Sequence, residues 1–81
     1  MKSNERVFTK GTIIQSKDKE MKSVYFIISG SVKEQFDNFS FTKSIGSVIN
    51  PHDYVYQENS KANIKTITDT KLMQIEGKAI Q

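Results

Sequence analysis

The chain has 81 residues, a formal net charge of +3, 36% hydrophobic and 10% aromatic residues, and no cysteine. This length predicts one small domain spanning residues 1–81, with enough apolar side chains for a modest core. Without cysteine there are no disulfides or cysteine-ligated zinc, and neither a signal segment nor an apolar run near the roughly 18 residues of a membrane span occurs. We expect a cytoplasmic globular domain.

The positive charge comes from eleven lysines and one arginine, Arg6. The lysines are scattered through predicted turns and outward strand positions and do not form a stripe. Grooves that bind nucleic acid normally combine clustered cations, arginine and interleaved aromatic residues. We therefore expect no direct contact between this segment and nucleic acid.

The first third of the chain predicts strands and turns. Residues 1–6 are expected to be a flexible N-terminus, and residues 12–15 form a short predicted strand followed by a charged turn at 16–20. Residues 23–29 are the strongest strand prediction, because strand-forming residues alternate there between two faces that are both apolar. A strand that is apolar on both faces is expected at the centre of a sheet.

A serine-glycine-serine break follows this strand and is centred on Gly30. Glycine lacks a Cβ and bends or bulges the chain at little steric cost. We interpret Gly30 as a corner between two strands, and Gly11, in the turn before residues 12–15, as a second structural glycine.

Residues 35–40 place two turn-prone residues between Phe36 and Phe39, which is typical of a tight hairpin with the two rings near each other. We expect Phe39, Phe41 and Ile45 to share the core face of the returning strand.

The last third continues the alternation. Pro51 places segment 46–53 at an edge or in a turn, because proline lacks a backbone donor. Residues 62–68 and 71–75 predict two more strands, and residues 77–81 read as the start of a helix. The whole pattern predicts an all-β fold, an antiparallel β-roll or jelly roll of seven or eight short strands with little helix.

A search for chemistry finds no catalytic set. His52 is the single histidine, so a transition-metal site would need carboxylates alone, and we expect His52 to be a surface loop residue. Nucleophile motifs and phosphate-binding glycine loops are also missing from the sequence. We expect neither enzymatic activity nor a bound metal.

Four segments, residues 8–14, 24–33, 49–54 and 64–75, together resemble the cyclic nucleotide-binding domain family, and in particular the effector domains of Crp/Fnr-type transcription regulators. The most specific part is Tyr-Phe-Ile-Ile-Ser-Gly-x-Val, residues 25–32. This resemblance implies an antiparallel β-roll with jelly-roll topology and a regulatory, ligand-sensing function.

The resemblance also implies where a ligand would bind. In the family, a cassette runs from a Gly-Asp pair through an aromatic residue, Gly-Glu and a short helix to an arginine before Ala-Thr-Val. Here the matching positions carry His52-Asp53, Tyr56-Gln57 and Ser60, and too few residues separate them for the helix. The candidate ligand-binding residues of this degenerate cassette are Asp53, Gln57, Glu58, Ser60, Lys61 and Ala62.

A cyclic phosphate is best bound by a guanidinium fork and by N–H groups at a helix N-terminus, and a ribose hydroxyl by a carboxylate. None of the three is in register in this sequence. Losing a buried charged hydrogen bond costs about 2–5 kcal/mol. We expect no binding of cAMP or cGMP at micromolar concentrations.

Three hypotheses follow: a regulatory roll that responds to another ligand or to a protein partner, a stand-alone interaction protein that modulates a partner or relative, and a cyclic nucleotide sensor with an atypical cassette. A homodimer is compatible with the first two.

The candidate interaction residues are Tyr54, Val55 and Tyr56, because three successive large side chains in an extended segment cannot all point inward.

Overall fold

Eight short strands make up the computed structural model over the residues it describes, which are 2–21, 23–49 and 58–76. No helix occurs in these three ranges, and hence none that is long and apolar enough to cross a membrane. The predicted all-β class is confirmed. The strands are β1 (Lys2–Phe8), β2 (Ile13–Gln15), β3 (Ser23–Ser29), β4 (Ser31–Gln35), β5 (Ser40–Ser44), β6 (Val48–Ile49), β7 (Asn63–Thr66) and β8 (Thr70–Glu76).

The strands form two antiparallel sheets of four. Sheet 1 has the order β1-β8-β3-β6, and sheet 2 has the order β2-β7-β4-β5. The pairing is nested: β1 pairs with β8, β2 with β7, β3 with β6 and β4 with β5. Such nesting is what a long antiparallel ribbon gives when it is rolled onto itself, which is the topology of a jelly roll.

The core lies between the two sheets. Its fully buried apolar side chains come from alternate positions, because successive side chains of a strand point to opposite faces. Sheet 1, sheet 2 and the segment before β7 all contribute to one cluster, and four half-buried side chains pack against it. The buried members are Ile27, Val32, Ile49, Ala62, Ile64 and Leu72.

The strongest predicted strand is central, as expected, because β3 lies between β8 and β6 in sheet 1. Ile27 points into the core and is fully buried. Phe26, on the opposite face, is 41% exposed. The second apolar face of this strand therefore forms part of the outer surface of the roll.

Gly30 joins β3 in sheet 1 to β4 in sheet 2 with a φ of 88°. A Cβ built there would lie 2.4 Å from the carbonyl oxygen of Asp69 and 2.7 Å from the Cα of Thr70. Both the backbone angle and the closeness of the neighbouring chain require glycine at this corner.

The N-terminus differs from the sequence expectation. The sequence predicts a flexible tail over residues 1–6, yet β1 occupies residues 2–8. It pairs with β8 over seven residue pairs, from Lys2 opposite Glu76 to Phe8 opposite Thr70. Phe8 is half-buried against the core cluster. The reason is that β8 would otherwise present an unpaired edge, which β1 covers. The helix expected over residues 77–81 lies outside the described residues.

The β4–β5 hairpin follows the prediction in part. The rings of Phe36 and Phe39 stack with centroids 4.8 Å apart, as expected across a tight turn. The expected burial of Phe39, Phe41 and Ile45 on a core face is wrong, because all three are exposed. Strand β5 is the edge of sheet 2, so no neighbouring strand covers its far side, and Ile45 lies in the turn that follows it.

Candidate functional site

The structure describes one end of the predicted cassette. Asp53, Gln57 and the candidate interaction residues Tyr54, Val55 and Tyr56 lie outside the described residues, as does His52. Glu58, Ser60, Lys61 and Ala62 are described.

Residues 58–62 are held against the turn that follows β2. The backbone N–H of Ser60 donates to the Lys19 carbonyl at 2.8 Å, and the N–H of Asp18 donates to the Ser60 carbonyl at 2.8 Å. Glu20 and Asn59 form a single antiparallel bridge beside them. These contacts fix the backbone of the segment before it enters β7.

Ser60 occupies the position where the family resemblance requires an arginine, and its side chain is used locally. The residue is buried. Its Oγ donates to the Ala62 carbonyl at 2.8 Å and accepts from the Ala62 N–H at 3.3 Å. The hydroxyl is therefore bonded to the backbone of its own segment. Ala62 is fully buried in the core cluster and offers no polar side chain.

Lys61 is the remaining cation of the described cassette, and it lies at the surface. Its side chain is 62% exposed, and its Nζ is 2.8 Å from Oε2 of Glu58. The two predicted ligand-binding groups thus contact each other. Their ion pair leaves the charge of Lys61 solvated outside the core of the roll.

Lys61 also lines an open surface cleft of about 320 Å³ between the turn after β2 and the tip of the β4–β5 hairpin. Phe36 and Phe39 form its apolar wall. Lys17 and Asp37 also line the cleft and form an ion pair with each other. The hydrogen bond to the Asp37 carboxylate raises the pKa of Lys17. The cleft therefore combines an aromatic wall with a charge pair that is already formed.

An ion pair that the sequence analysis did not identify lies inside the roll. Glu34 of β4 is only 1% exposed, and its Oε1 is 3.1 Å from the Nζ of Lys43 on β5. The same Nζ donates to the Val48 carbonyl of β6 at 3.1 Å. This contact connects sheet 2 to sheet 1. The second oxygen of Glu34, Oε2, is buried and has no hydrogen-bond partner.

The signal for Glu34 was present in the sequence. Val32 is a core residue of the same strand, and period two places Glu34 two residues later on the same inward face. Lys43 gave no such signal, because its partner lies nine residues away on another strand and the registration of β4 with β5 is needed to bring the two together. Within residues 2–21, 23–49 and 58–76, the structure contains no group of three or more His, Cys, Asp or Glu side chains that could hold a metal ion.

No protein-family model matches the sequence, and no curated protein matches it. Solved structures do match. The structure of PKAR CBD2 bound to Sp-2Cl-cAMPS has a TM-score of 0.85 and 17% identity, over 91% of this chain and 51% of that one. The regulatory subunit of a cAMP-independent protein kinase A from Trypanosoma brucei gives 0.85 and 15%, over 91% of this chain and 28% of that one.

The C-linker/CNBHD of zELK channels gives a TM-score of 0.80 and 23% identity, over 91% of this chain and 44% of that one. The architecture defined by the two sheets is thus the fold of cyclic nucleotide-binding domains, as the sequence resemblance implied. The chain spans about half or less of the length of these three structures.

Proposed function

We propose that this chain is a non-catalytic regulatory domain with the cyclic nucleotide-binding fold, and that it does not bind cAMP or cGMP in the manner the family cassette implies. The observation that carries the proposal is which groups the side chains of Ser60 and Lys61 contact. The side chain at the arginine position is a buried hydroxyl bonded to Ala62, and the neighbouring ammonium is paired with Glu58 at the surface.

Electrostatics inside the roll supports the same conclusion. A cyclic phosphate carries a negative charge, and burial of a charge requires a paired partner. Lys43 contacts Glu34, so its positive charge is already matched by a carboxylate. An anion brought near this pair would compete with Glu34 for Lys43 and be repelled by Glu34 itself.

A regulatory function is supported by the structural neighbours, which include one domain bound to a cAMP analogue and one regulatory subunit described as cAMP-independent. The same fold thus occurs in a kinase regulatory subunit that is described as independent of cAMP. The finer assignment to the effector rolls of Crp/Fnr-type regulators depends on the order and spacing of the four segments, residues 8–14, 24–33, 49–54 and 64–75. Binding of a protein partner or a second copy through Tyr54, Val55 and Tyr56 stays a prediction.

Thermal unfolding with and without nucleotide tests the proposal. A ligand present at 100 times its dissociation constant stabilises the folded state by about 2.7 kcal/mol, which raises the Tm of so small a domain by roughly 10–20 °C. We expect no shift of that size from cAMP or cGMP at about 1 mM, which is roughly 100 times a dissociation constant of 10 μM. A nucleotide-specific rise of this size, absent with the 5′-monophosphates, would show that the cassette binds cyclic nucleotides after all.

A further inference from the structure

We propose that the open edge of sheet 2 is an interface between two copies of this chain, in which β5 of one copy pairs antiparallel with β5 of the other about a two-fold axis at Thr42. The pairing joins sheet 2 of both copies into one sheet of eight strands. It uses none of the cassette residues 58–62, so the inference goes beyond the proposed function and holds whether or not a nucleotide binds.

The sheet edges differ in how well they are protected against further pairing. Proteins usually protect an edge strand by charged side chains, by bulges or by keeping the strand very short. Among the described residues, β1 carries Lys2, Glu5 and Arg6, β2 has three residues in irregular register, and β6 has only two residues. Strand β5 has five residues in unbroken register with β4, and Lys43 is its single charged residue. It is the least protected edge in this part of the chain.

The charge of Lys43 is already used within the roll. Its Nζ contacts Oε1 of the buried Glu34 and donates to a carbonyl of β6. The other residues of β5 are uncharged and exposed, and they are Ser40, Phe41, Thr42 and Ser44. A second strand that pairs with β5 therefore meets no unpaired charge along it.

The free hydrogen-bonding groups of β5 belong to alternate residues. The hairpin closes with the Phe36 N–H donating to the Phe39 carbonyl at 2.8 Å. Bonded and non-bonded pairs alternate along an antiparallel ladder, so the main-chain groups of Ser40, Thr42 and Ser44 face the open edge. The Ser44 carbonyl also accepts an N–H of the following turn at 3.1 Å and keeps a second lone pair. A two-fold axis at Thr42 bonds Thr42 to its own copy and Ser40 to Ser44 of the second copy, so every pair joins outward-facing groups.

The same register brings exposed apolar side chains together. Phe39 and Ile45 flank β5 at its two ends and are 52% and 71% exposed. About an axis at Thr42, Phe39 of each copy stands opposite Ile45 of the other. Phe41, which is 53% exposed, stands opposite Lys43, and no like charges are placed opposite each other. This self-complementary order of β5 and its flanks fits a second copy of the chain, whereas an unrelated strand has no such built-in match.

Self-association of the unmodified chain is the first test. Pairing of one short edge buries less than about 1,200 Å², which is the range of weak and transient complexes. We expect sedimentation equilibrium to show a dimer with a dissociation constant between about 10 μM and 1 mM. Backbone amide shifts recorded on dilution should be centred on residues 39–45. A chain that is still monomeric at about 2 mM would overturn the proposal.

Two matched variants locate the interface. Ile45→Ser removes a side chain that is 71% exposed beside β5, and Val7→Ser removes one that is 72% exposed on β1 of the other sheet. We expect Ile45→Ser to raise the dissociation constant of the dimer at least about tenfold, because two apolar contacts per dimer are lost. Val7→Ser should leave it unchanged. Equal effects of the two variants would contradict an interface at β5.

Charge exchange at Thr42 tests the register. Thr42→Lys and Thr42→Glu each place two like charges at the two-fold axis, so each variant alone should dimerise several-fold more weakly than the unmodified chain. An equimolar mixture places opposite charges there. We expect the mixed dimer to be at least about fivefold tighter than either variant alone. A mixture that associates no better than the separate variants would contradict pairing about Thr42.

Discussion

Gly11 and Gly30 have almost the same backbone angle, with φ values of 85° and 88°, but different surroundings. Nothing lies within 4 Å of a Cβ placed on Gly11, whereas a Cβ on Gly30 would overlap the backbone of Asp69 and Thr70. Comparison of the two glycines therefore separates the free-energy cost of a left-handed backbone conformation from the cost of a steric clash.

Replacing either glycine by alanine should destabilise the domain by different amounts. For Gly11→Ala we expect a loss of about 1 kcal/mol, the usual cost of a left-handed alanine. For Gly30→Ala we expect about 2–4 kcal/mol, because the β3–β4 corner must also move away from residues 69 and 70. Urea unfolding followed by circular dichroism measures both. Equal losses would mean that the close approach at Gly30 is not present in solution.

The Glu34–Lys43 pair is the second point at which single residues decide stability. Lys43→Met should cost about 2–4 kcal/mol, because it leaves the whole buried carboxylate unpaired. The double variant Glu34→Leu/Lys43→Met should be more stable than Lys43→Met alone, since no buried charge remains. Urea unfolding of Lys43→Met, of Glu34→Leu and of the double variant gives the coupling free energy between the two side chains. If the two single losses simply add in the double variant, the side chains do not interact.

At the scale of elements, β1 is the strand that the sequence did not predict. Its polar residues resemble a solvated tail, and only the registration with β8 shows that it is an edge strand. Edge strands are commonly polar because one side faces solvent, so local composition does not separate them from a tail.

Deleting residues 1–8 distinguishes a tail from a strand. We expect a loss of about 3 kcal/mol or more, because the deletion removes the seven-residue ladder with β8 and the contact of Phe8 with the core. Thermal unfolding of the shortened and full chains measures it. An unchanged Tm after deletion of residues 1–8 would mean that β1 does not contribute to the fold.

At the scale of the whole molecule, the fold was predictable because its signals are local. Period-two alternation gave the strands, and Gly30 marked the corner between the sheets. The jelly-roll topology was implied by the family resemblance of the four segments between residues 8 and 75. The exposure of Phe39, Phe41 and Ile45 was not predictable, because alternation assigns a face and does not say which strand is the edge.

The candidate site was predictable only as a set of positions. The sequence showed that Ser60 stands where an arginine is expected, but the bond from its hydroxyl to Ala62 and the pairing of Lys61 with Glu58 depend on how the backbone turns between residues 58 and 62. The Glu34–Lys43 pair depends on strand registration, which no local pattern contains. Ligand contacts of Asp53 and Gln57 stay predictions.

Titration of the isotope-labelled chain with cAMP, followed by backbone amide shifts, determines whether this roll binds cyclic nucleotides through the family cassette. We expect no saturable shifts at residues 58–62 up to several hundred micromolar nucleotide, because Ser60 and Lys61 provide no inward cation and the interior carries Glu34. Saturable shifts centred on residues 53–62 at low micromolar cAMP would mean that the cassette binds the nucleotide.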